Sequence, residues 1–156
     1  MPQIIALILL SLVSVQTISA EKAKDFVLPT DKGEIQLSKL KGQVVYVDFW
    51  ASWCAPCRKS FPWMNKMHAK YESQGLKVIG ISLDDDEAKA YKFLEKVPAL
   101  FTIAFDTKGT VADLYEVQVM PTSYLIDKKG NVLFEHKGFK TKHEDKLEEE
   151  LVKALR

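Results

Sequence analysis

Cys54 and Cys57 are the only thiols in a chain of 156 residues, and two residues separate them. Thiols at this spacing can close a small disulfide and so take up or release two electrons. Because no other cysteine competes, any disulfide chemistry of the chain must pass through this pair. Such a pair is typically redox-active when a strand precedes it and a helix follows it. The flanking sequence therefore decides the interpretation.

A strand is predicted directly before the pair and a helix directly after it. Residues 44–50 form an almost continuous β-branched and aromatic run, which is typical of a central strand covered on both faces. From Cys57 to Tyr71, apolar residues recur at intervals of three and four, as on one face of a helix. Cys54 then lies near a helix N-terminus, where free N–H groups and the helix dipole favour a thiolate.

The remaining pattern predicts one α/β domain over residues 21–156, with a central mixed β-sheet and helices on both of its faces. Further strands are expected at 25–28, 76–83, 101–105, 123–126 and 132–136, and further helices at 88–96, 110–115 and 142–155. The three aspartates at 84–86 are interpreted as a helix cap, because no loop of alternating oxygen ligands and glycine follows them. A net charge of +1 indicates neither nucleic acid nor an anionic membrane as a general partner.

The first twenty residues differ in kind from the rest. Residues 4–15 are apolar apart from two serines, and the first charged side chain is Glu21. We interpret residues 1–20 as a secretory signal peptide or, alternatively, as an uncleaved N-terminal anchor. A helix from Ile4 to Ile18 would reach about 22 Å, short of a bilayer core of roughly 30 Å, which favours the signal peptide. Both interpretations place the domain outside the cytoplasm, in the periplasm or on the outer face of the cytoplasmic membrane.

Three blocks of sequence resemble the thioredoxin superfamily, and within it the exported TlpA/ResA-like thiol–disulfide oxidoreductases. The first block is residues 37–45, and the second is residues 47–58 with Phe61-Pro62 behind it. The third is Val119-Met120-Pro121-Thr122, followed by residues 124–127 and Gly130. The resemblance covers nearly all of residues 25–156 and implies a thioredoxin-like fold.

The resemblance also implies which residues contact the substrate. Pro121 is expected to form a cis peptide bond facing the cysteines, which leaves the backbone of Met120 free to pair with an extended substrate. Trp53 and Pro56 are expected to form the apolar rim of the site.

The chain departs from the family pattern around Asp48. This acid stands in the central strand where relatives often carry Asn, whereas Ser60 stands where they often carry Glu. A lone carboxyl among apolar residues should have a raised pKa, which suits proton exchange near neutral pH. The alternative is that Asp48 is a strand-end residue turned to water. Gly80 falls where thioredoxin proper places a lysine near its buried acid.

We therefore predict a thiol–disulfide oxidoreductase that uses no cofactor. Cys54 attacks a substrate disulfide, Cys57 resolves the mixed disulfide, and Asp48 accepts the proton of Cys57. The family resemblance implies a reductant of exported proteins, as in cytochrome c or copper-site maturation, supplied by a membrane electron donor. A disulfide oxidase or isomerase would use the same geometry.

Two other interpretations assign the cysteines no catalysis. Two thiolates can hold Cu(I), as in a metallochaperone. The pair can also be an inert structural disulfide, although a two-residue loop removes little chain entropy and is a poor staple. A zinc site is not expected, because His68, His136 and His143 lack zinc-ligand spacing relative to the cysteines.

Overall fold

Seven strands form one mixed sheet in the computed structural model, which describes residues 21–156. In chain order the strands are β1 (Val27–Thr30), β2 (Gly33–Gln36), β3 (Val44–Trp50), β4 (Leu76–Ser82), β5 (Thr102–Phe105), β6 (Thr122–Ile126) and β7 (Val132–Lys137). Their order across the sheet is β2-β1-β5-β4-β3-β6-β7. The three strands β3, β4 and β5 are parallel, and the outer pairs are antiparallel. The predicted mixed sheet is confirmed.

Four helices cover the two faces of this sheet: α1 (Cys57–Tyr71), α2 (Glu87–Leu94), α3 (Thr110–Leu114) and α4 (Glu144–Leu155). Helices α1, α2 and α4 bury their apolar residues on the face that carries Tyr46 and Trp50. Helix α3 packs on the opposite face, together with Phe49. Every residue of β3 is buried, as expected for a central strand covered on both sides. Helices therefore lie on both faces, as the sequence predicted.

The first strand is where sequence and structure differ. It begins at Val27 rather than at Asp25, because the carboxylate of Asp25 accepts hydrogen bonds from the Ser38 N–H at 2.8 Å and from the Gln36 side chain at 3.0 Å. These bonds anchor the 3₁₀ turn over residues 37–40 instead of a strand. The sequence analysis also missed β2, which returns antiparallel to β1 after a turn at residues 30–33.

The signal peptide or anchor predicted for residues 1–20 lies outside the described residues. Within residues 21–156, no helix is both long enough and apolar enough to cross a membrane.

Candidate active site

The two cysteines lie in the connection between β3 and α1 and form a disulfide. Their Sγ atoms are 2.09 Å apart and their Cα atoms 5.4 Å apart. Helix α1 begins at Cys57 itself, which is fully buried, whereas Cys54 keeps 5% of its surface exposed. Cys54 is therefore the more exposed of the two cysteines. Cys57 lies behind it in the protein interior.

The N-terminal turn of α1 offers fewer free N–H groups than the sequence pattern indicated. The N–H groups of residues 58–60 donate to the carbonyls of Ala55 and Pro56 at 3.0–3.3 Å. Among the described residues, the N–H groups of Ala55 and Cys57 have no backbone acceptor. These two donors belong to the residue after Cys54 and to Cys57 itself, and they remain available to a thiolate at Cys54.

An open groove runs past Cys54. It is lined by residues 53–56, 83 and 117–120. Trp53 is 71% exposed, which is unusual for so large an apolar side chain and indicates a surface made for contact. Of the four predicted substrate contacts, Trp53, Pro56 and Met120 line this groove. Pro121 is buried next to it and does not form its wall.

The far wall of the groove is shaped by a cis peptide bond between Met120 and Pro121, as expected. Side-chain and backbone hydrogen bonds fix its position. The Thr122 hydroxyl donates to the carbonyl of Val119 at 2.7 Å, and the Gly138 N–H donates to the carbonyl of Pro121 at 2.7 Å. Within the described part of the chain, the backbone N–H and C=O of Met120 have no hydrogen-bond partner. They are therefore free to pair with an extended peptide.

Asp48 lies in the middle of β3 and points towards α1. The residues two positions before and after it, Tyr46 and Trp50, contact Trp63 and Phe61 of α1, and alternate residues of a strand share a face. Asp48 is only 2% exposed, and its Oδ2 atom has no hydrogen-bond partner among residues 21–156. Burial raises the pKa of this carboxyl well above its ordinary value. The alternative of a water-facing Asp48 is therefore wrong.

The neighbouring strand β4 places no cationic side chain directly beside Asp48. Gly80 of β4 is its partner in the parallel register. A Cβ atom at Gly80 would lie 3.0 Å from the Phe101 ring, 3.2 Å from Ile103 and 3.2 Å from Nε1 of Trp50. These core side chains therefore already fill the space that a side chain at residue 80 would occupy. The lysine of thioredoxin proper has no room in this chain.

Ser60 occupies the helix position where TlpA/ResA-like proteins often carry Glu. It is buried, and its hydroxyl donates to the carbonyl of Cys57 at 3.0 Å. The first turn of α1 carries no acidic residue. Asp48 is thus a fully enclosed carboxyl on the sheet face that packs against the helix of the redox pair.

Sequence reasoning missed the role of Asp84. Of the three consecutive aspartates, Asp86 caps α2 by accepting from the Ala88 N–H at 2.9 Å, as predicted. Asp84 is instead 2% exposed and accepts hydrogen bonds from Ser52, in the loop that leads to Cys54. The position of Asp84 in the sequence could have revealed this contact, because the carboxyl ends of adjacent parallel strands lie at one edge of a sheet. Asp84 follows β4 there just as Ser52 follows β3.

The histidines do not gather around the disulfide to form a metal centre. Residues 21–156 contain no group of three or more His, Cys, Asp or Glu side chains placed to hold a metal ion. His136 and His143 stack edge to face with ring centroids 5.6 Å apart, and His68 contacts Glu72 at 3.5 Å.

Comparison with known proteins is consistent with this geometry. The AhpC/TSA family of the thioredoxin superfamily matches residues 20–135. The chain belongs to this family. A relative, Thiol-disulfide oxidoreductase ResA of Bacillus thuringiensis subsp. konkukian, is 37% identical over 134 residues, which cover 85% of this chain and 76% of the relative.

Solved structures show the same likeness. A chain from Chlorobium tepidum, assigned as the thiol:disulfide interchange protein DsbE, is 52% identical with a TM-score of 0.86 and covers 88% of this chain and 97% of that one. A chain from Bacteroides thetaiotaomicron, assigned as a protein disulfide isomerase, is 25% identical with a TM-score of 0.80 and covers 87% and 89%. The fold is thioredoxin-like, and this AhpC/TSA family member is a thiol–disulfide oxidoreductase acting through Cys54 and Cys57.

Proposed function

We propose that this oxidoreductase reduces disulfides of exported proteins by a two-cysteine exchange. The observation that carries the proposal is that the two cysteines are buried to different depths beside an apolar groove. Cys54 borders the groove, whereas Cys57 is fully buried behind it. This order separates an attacking sulfur, which a substrate reaches, from a resolving sulfur, which it does not.

The first step forms a mixed disulfide. The Cys54 thiolate attacks one sulfur of the substrate disulfide, a new S–S bond forms, and the displaced substrate thiolate takes a proton. In the second step Cys57 loses its proton to Asp48 and attacks Cys54, which releases the other substrate sulfur. The released substrate thiolate takes up a proton, and Asp48 returns its proton to solvent. In total the pair gives two electrons to the substrate, the two protons are exchanged with solvent, and the pair becomes the disulfide seen in the structure.

Asp48 is proposed as the proton acceptor in the second step. It lies beneath the helix that begins at Cys57, and burial raises the pKa of its carboxyl, so its proton affinity is suited to work near neutral pH. The buried pair of Tyr46 and Ser123, joined by a 2.8 Å hydrogen bond, lies on the same face. Burial, and secondarily the charge of Asp48, raises the pKa of Tyr46, so its hydroxyl stays protonated.

The groove is proposed to hold the substrate as an extended strand. The free N–H and C=O of Met120 would pair with its backbone, while Trp53 and Pro56 would contact its side chains. Pro121, buried behind Met120, would fix the direction of those backbone groups. Main-chain pairing of this kind tolerates many sequences, which suits an enzyme that acts on several proteins.

Two features support a reducing role and a location outside the cytoplasm. The resemblance to TlpA/ResA-like reductants favours a pair kept reduced by a membrane electron donor, with cytochrome c or copper-site maturation as the process served. The apolar residues 4–15, followed by small and polar residues, support export to the periplasm or the outer membrane face, with membrane attachment only if that segment is retained. An oxidase or isomerase would differ in reduction potential, and a value near the −270 mV or so of thioredoxin favours the reductant.

The test uses the full-length chain with Cys57→Ser in its native host. Without the resolving sulfur, we expect Cys54 to form mixed disulfides with exported thiol-containing proteins. The variant protein in these mixed disulfides should begin at or near residue 21, because the signal peptide has been removed. The matched control, Cys54→Ser, should capture nothing and should not reduce insulin. The two-cysteine scheme is wrong if Cys57→Ser reduces insulin as fast as the unaltered enzyme. Capture of cytoplasmic proteins alone would contradict export.

A further inference from the structure

Asp84 is a buried carboxylate that clamps the loop in front of the redox pair. Its two oxygens accept hydrogen bonds from the Ser52 N–H at 3.0 Å, from the Ser52 hydroxyl at 2.7 Å and from the Ser82 hydroxyl at 3.0 Å. Every one of these side-chain contacts is a donor. The arrangement therefore fits the ionised, acceptor-only form of the carboxyl.

No cation of the described residues forms an ion pair with this carboxylate. Among residues 21–156, Asp84 takes part in no salt bridge, whereas its exposed neighbour Asp85 is paired with Lys89 at 2.6 Å. A buried charge without a partner acts on its surroundings more strongly than an exposed one, because little water screens it. The groups that donate hydrogen bonds directly to the Asp84 carboxylate are thus all neutral.

Asp84 is connected to the loop of Cys54 along two routes. Ser52, which Asp84 holds, is two residues before Cys54. Leu83, directly before Asp84, donates its N–H to the carbonyl of Trp50 at 2.8 Å and lines the same groove as Cys54. The clamp therefore joins the end of β4 to the loop that carries the attacking sulfur.

We propose that Asp84 is a positioning residue whose charge makes the Cys54–Cys57 pair more reducing. A negative charge near Cys54 disfavours the thiolate, and a less stable thiolate makes the reduced pair less stable relative to the disulfide. The clamp also fixes the loop in front of Trp53. This inference rests on the proposed reductant function for its purpose, although its test measures an equilibrium that needs no physiological partner.

The three consecutive aspartates supply their own controls. Asp84→Asn removes the buried charge, Asp85→Asn removes an exposed ion pair, and Asp86→Asn alters a helix cap. Each oxidised variant is equilibrated with glutathione, where two glutathione thiols reduce the protein disulfide and become one glutathione disulfide. For Asp84→Asn we expect the equilibrium constant to move about fivefold towards the reduced protein, or about 20 mV. The other two variants should stay within about twofold of the wild type.

A pH profile separates the charge from a merely structural role. Alkylation of Cys54 by iodoacetamide should reach its half-maximal rate at a lower pH in Asp84→Asn than in the wild type, since the thiolate forms more easily. Asp84→Glu, which keeps the charge, should restore the wild-type profile. Ser52→Ala keeps the charge but removes a hydroxyl that donates to it, so it should move the equilibrium towards the disulfide and also slow exchange with protein substrates.

The proposal is overturned if Asp84→Asn leaves both the glutathione equilibrium and the alkylation profile unchanged, or if Asp85→Asn shifts them equally. Should Asp84→Asn fail to fold, Ser82→Ala provides the second test. It removes one donor that offsets the charge, so it should move the equilibrium towards the disulfide, and an unchanged or reversed equilibrium contradicts the proposal. A shift in Asp84→Asn without any capture by Cys57→Ser would refute the proposed function while leaving this inference intact.

Discussion

At the scale of single residues, Asp48 is a group whose proton affinity the surroundings raise strongly. A carboxyl closed in by the core beneath α1, with one oxygen lacking any hydrogen bond among the described residues, favours its neutral form. It becomes charged only at a pH above the range usual for aspartate. Its capacity to accept the proton of Cys57 therefore grows as pH rises through its raised pKa.

The Asp48→Asn variant tests this capacity. We expect the second exchange step to slow about ten- to a hundredfold near neutral pH, because asparagine cannot accept a proton. The wild-type rate should rise with pH through the raised pKa, and the variant should lose that rise. Single-turnover reduction of insulin across pH 5 to 10 measures both effects.

Asp113→Asn, which changes an exposed carboxylate on α3, is the matched control and should behave as the wild type. An Asp48→Asn profile that overlays the wild-type curve would refute the proton role of Asp48. The redox pair itself would remain assigned in that case.

Sequence reasoning found these residues to the extent that neighbours along the chain reveal them. Cys54, Cys57 and the buried Asp48 follow from local spacing and from the apolar run around the acid. Asp84 did not follow, because its role depends on Ser52, which lies 32 residues away and meets it only once β3 and β4 pair. The hydrogen bonds that use the N–H groups of residues 58–60 were equally invisible, since the sequence does not show which carbonyls accept them.

At the scale of secondary-structure elements, the contact between β3 and β4 fixes the surroundings of Asp48. The parallel register places Gly80 beside it, and three core side chains fill the space where a side chain of residue 80 would begin. Close approach, rather than backbone conformation, is the reason for a glycine here. This packing keeps the carboxyl apart from any charge on β4.

Gly80→Ala should therefore destabilise the protein by about 1–3 kcal/mol, because the added methyl group meets the Phe101 ring at 3.0 Å. Urea unfolding of the oxidised protein measures the loss. The double variant Gly80→Ala/Phe101→Leu should recover part of it, since a smaller side chain makes room for the methyl group. Equal stability of Gly80→Ala and the wild type would show that the core is looser here than the contacts indicate.

The elements themselves were predictable where their pattern was strong. The central strands and α1 follow from continuous apolar runs and from helical spacing. The edge hairpin of β1 and β2 was harder, because four-residue strands that are partly exposed carry little pattern. The anchoring of Asp25 by Ser38 is a contact between turns that no periodicity reports.

At the scale of the whole molecule, Asp48 links stability to pH with a sign opposite to that of an ordinary aspartate. Its pKa is raised above the value of 3.8 for an unperturbed side chain, so the folded state binds a proton that the unfolded state releases. The contribution of Asp48 to the free energy of unfolding is fully favourable below the unperturbed pKa of 3.8, and it is lost as pH rises through the raised pKa of the folded state. Glu148 acts the other way, because hydrogen bonds from Lys70 and Tyr71 lower its pKa, so its contribution is lost on acidification.

We expect the stability of the oxidised wild type to fall by up to about 1.4 kcal/mol per pH unit between the two pKa values of Asp48. In Asp48→Asn this slope should be absent, so the difference between the two proteins isolates the group from all other carboxyls. Urea denaturation at fixed ionic strength from pH 4 to 9 provides the measurement. Parallel curves for the two proteins would mean that Asp48 is not desolvated in the folded state.

The point where the chain enters the domain determines which way the groove faces. The carbonyl of Glu21 accepts the N–H of Val132 at 2.8 Å, and the N–H of Ala23 donates to Gly130 at 3.0 Å. Both bonds lie at the turn after β6, whereas the cis-proline that shapes the groove immediately precedes the other end of that strand, at Thr122. A membrane anchor retained before Glu21 would therefore hold the disulfide away from the bilayer, where bulky client proteins can approach it.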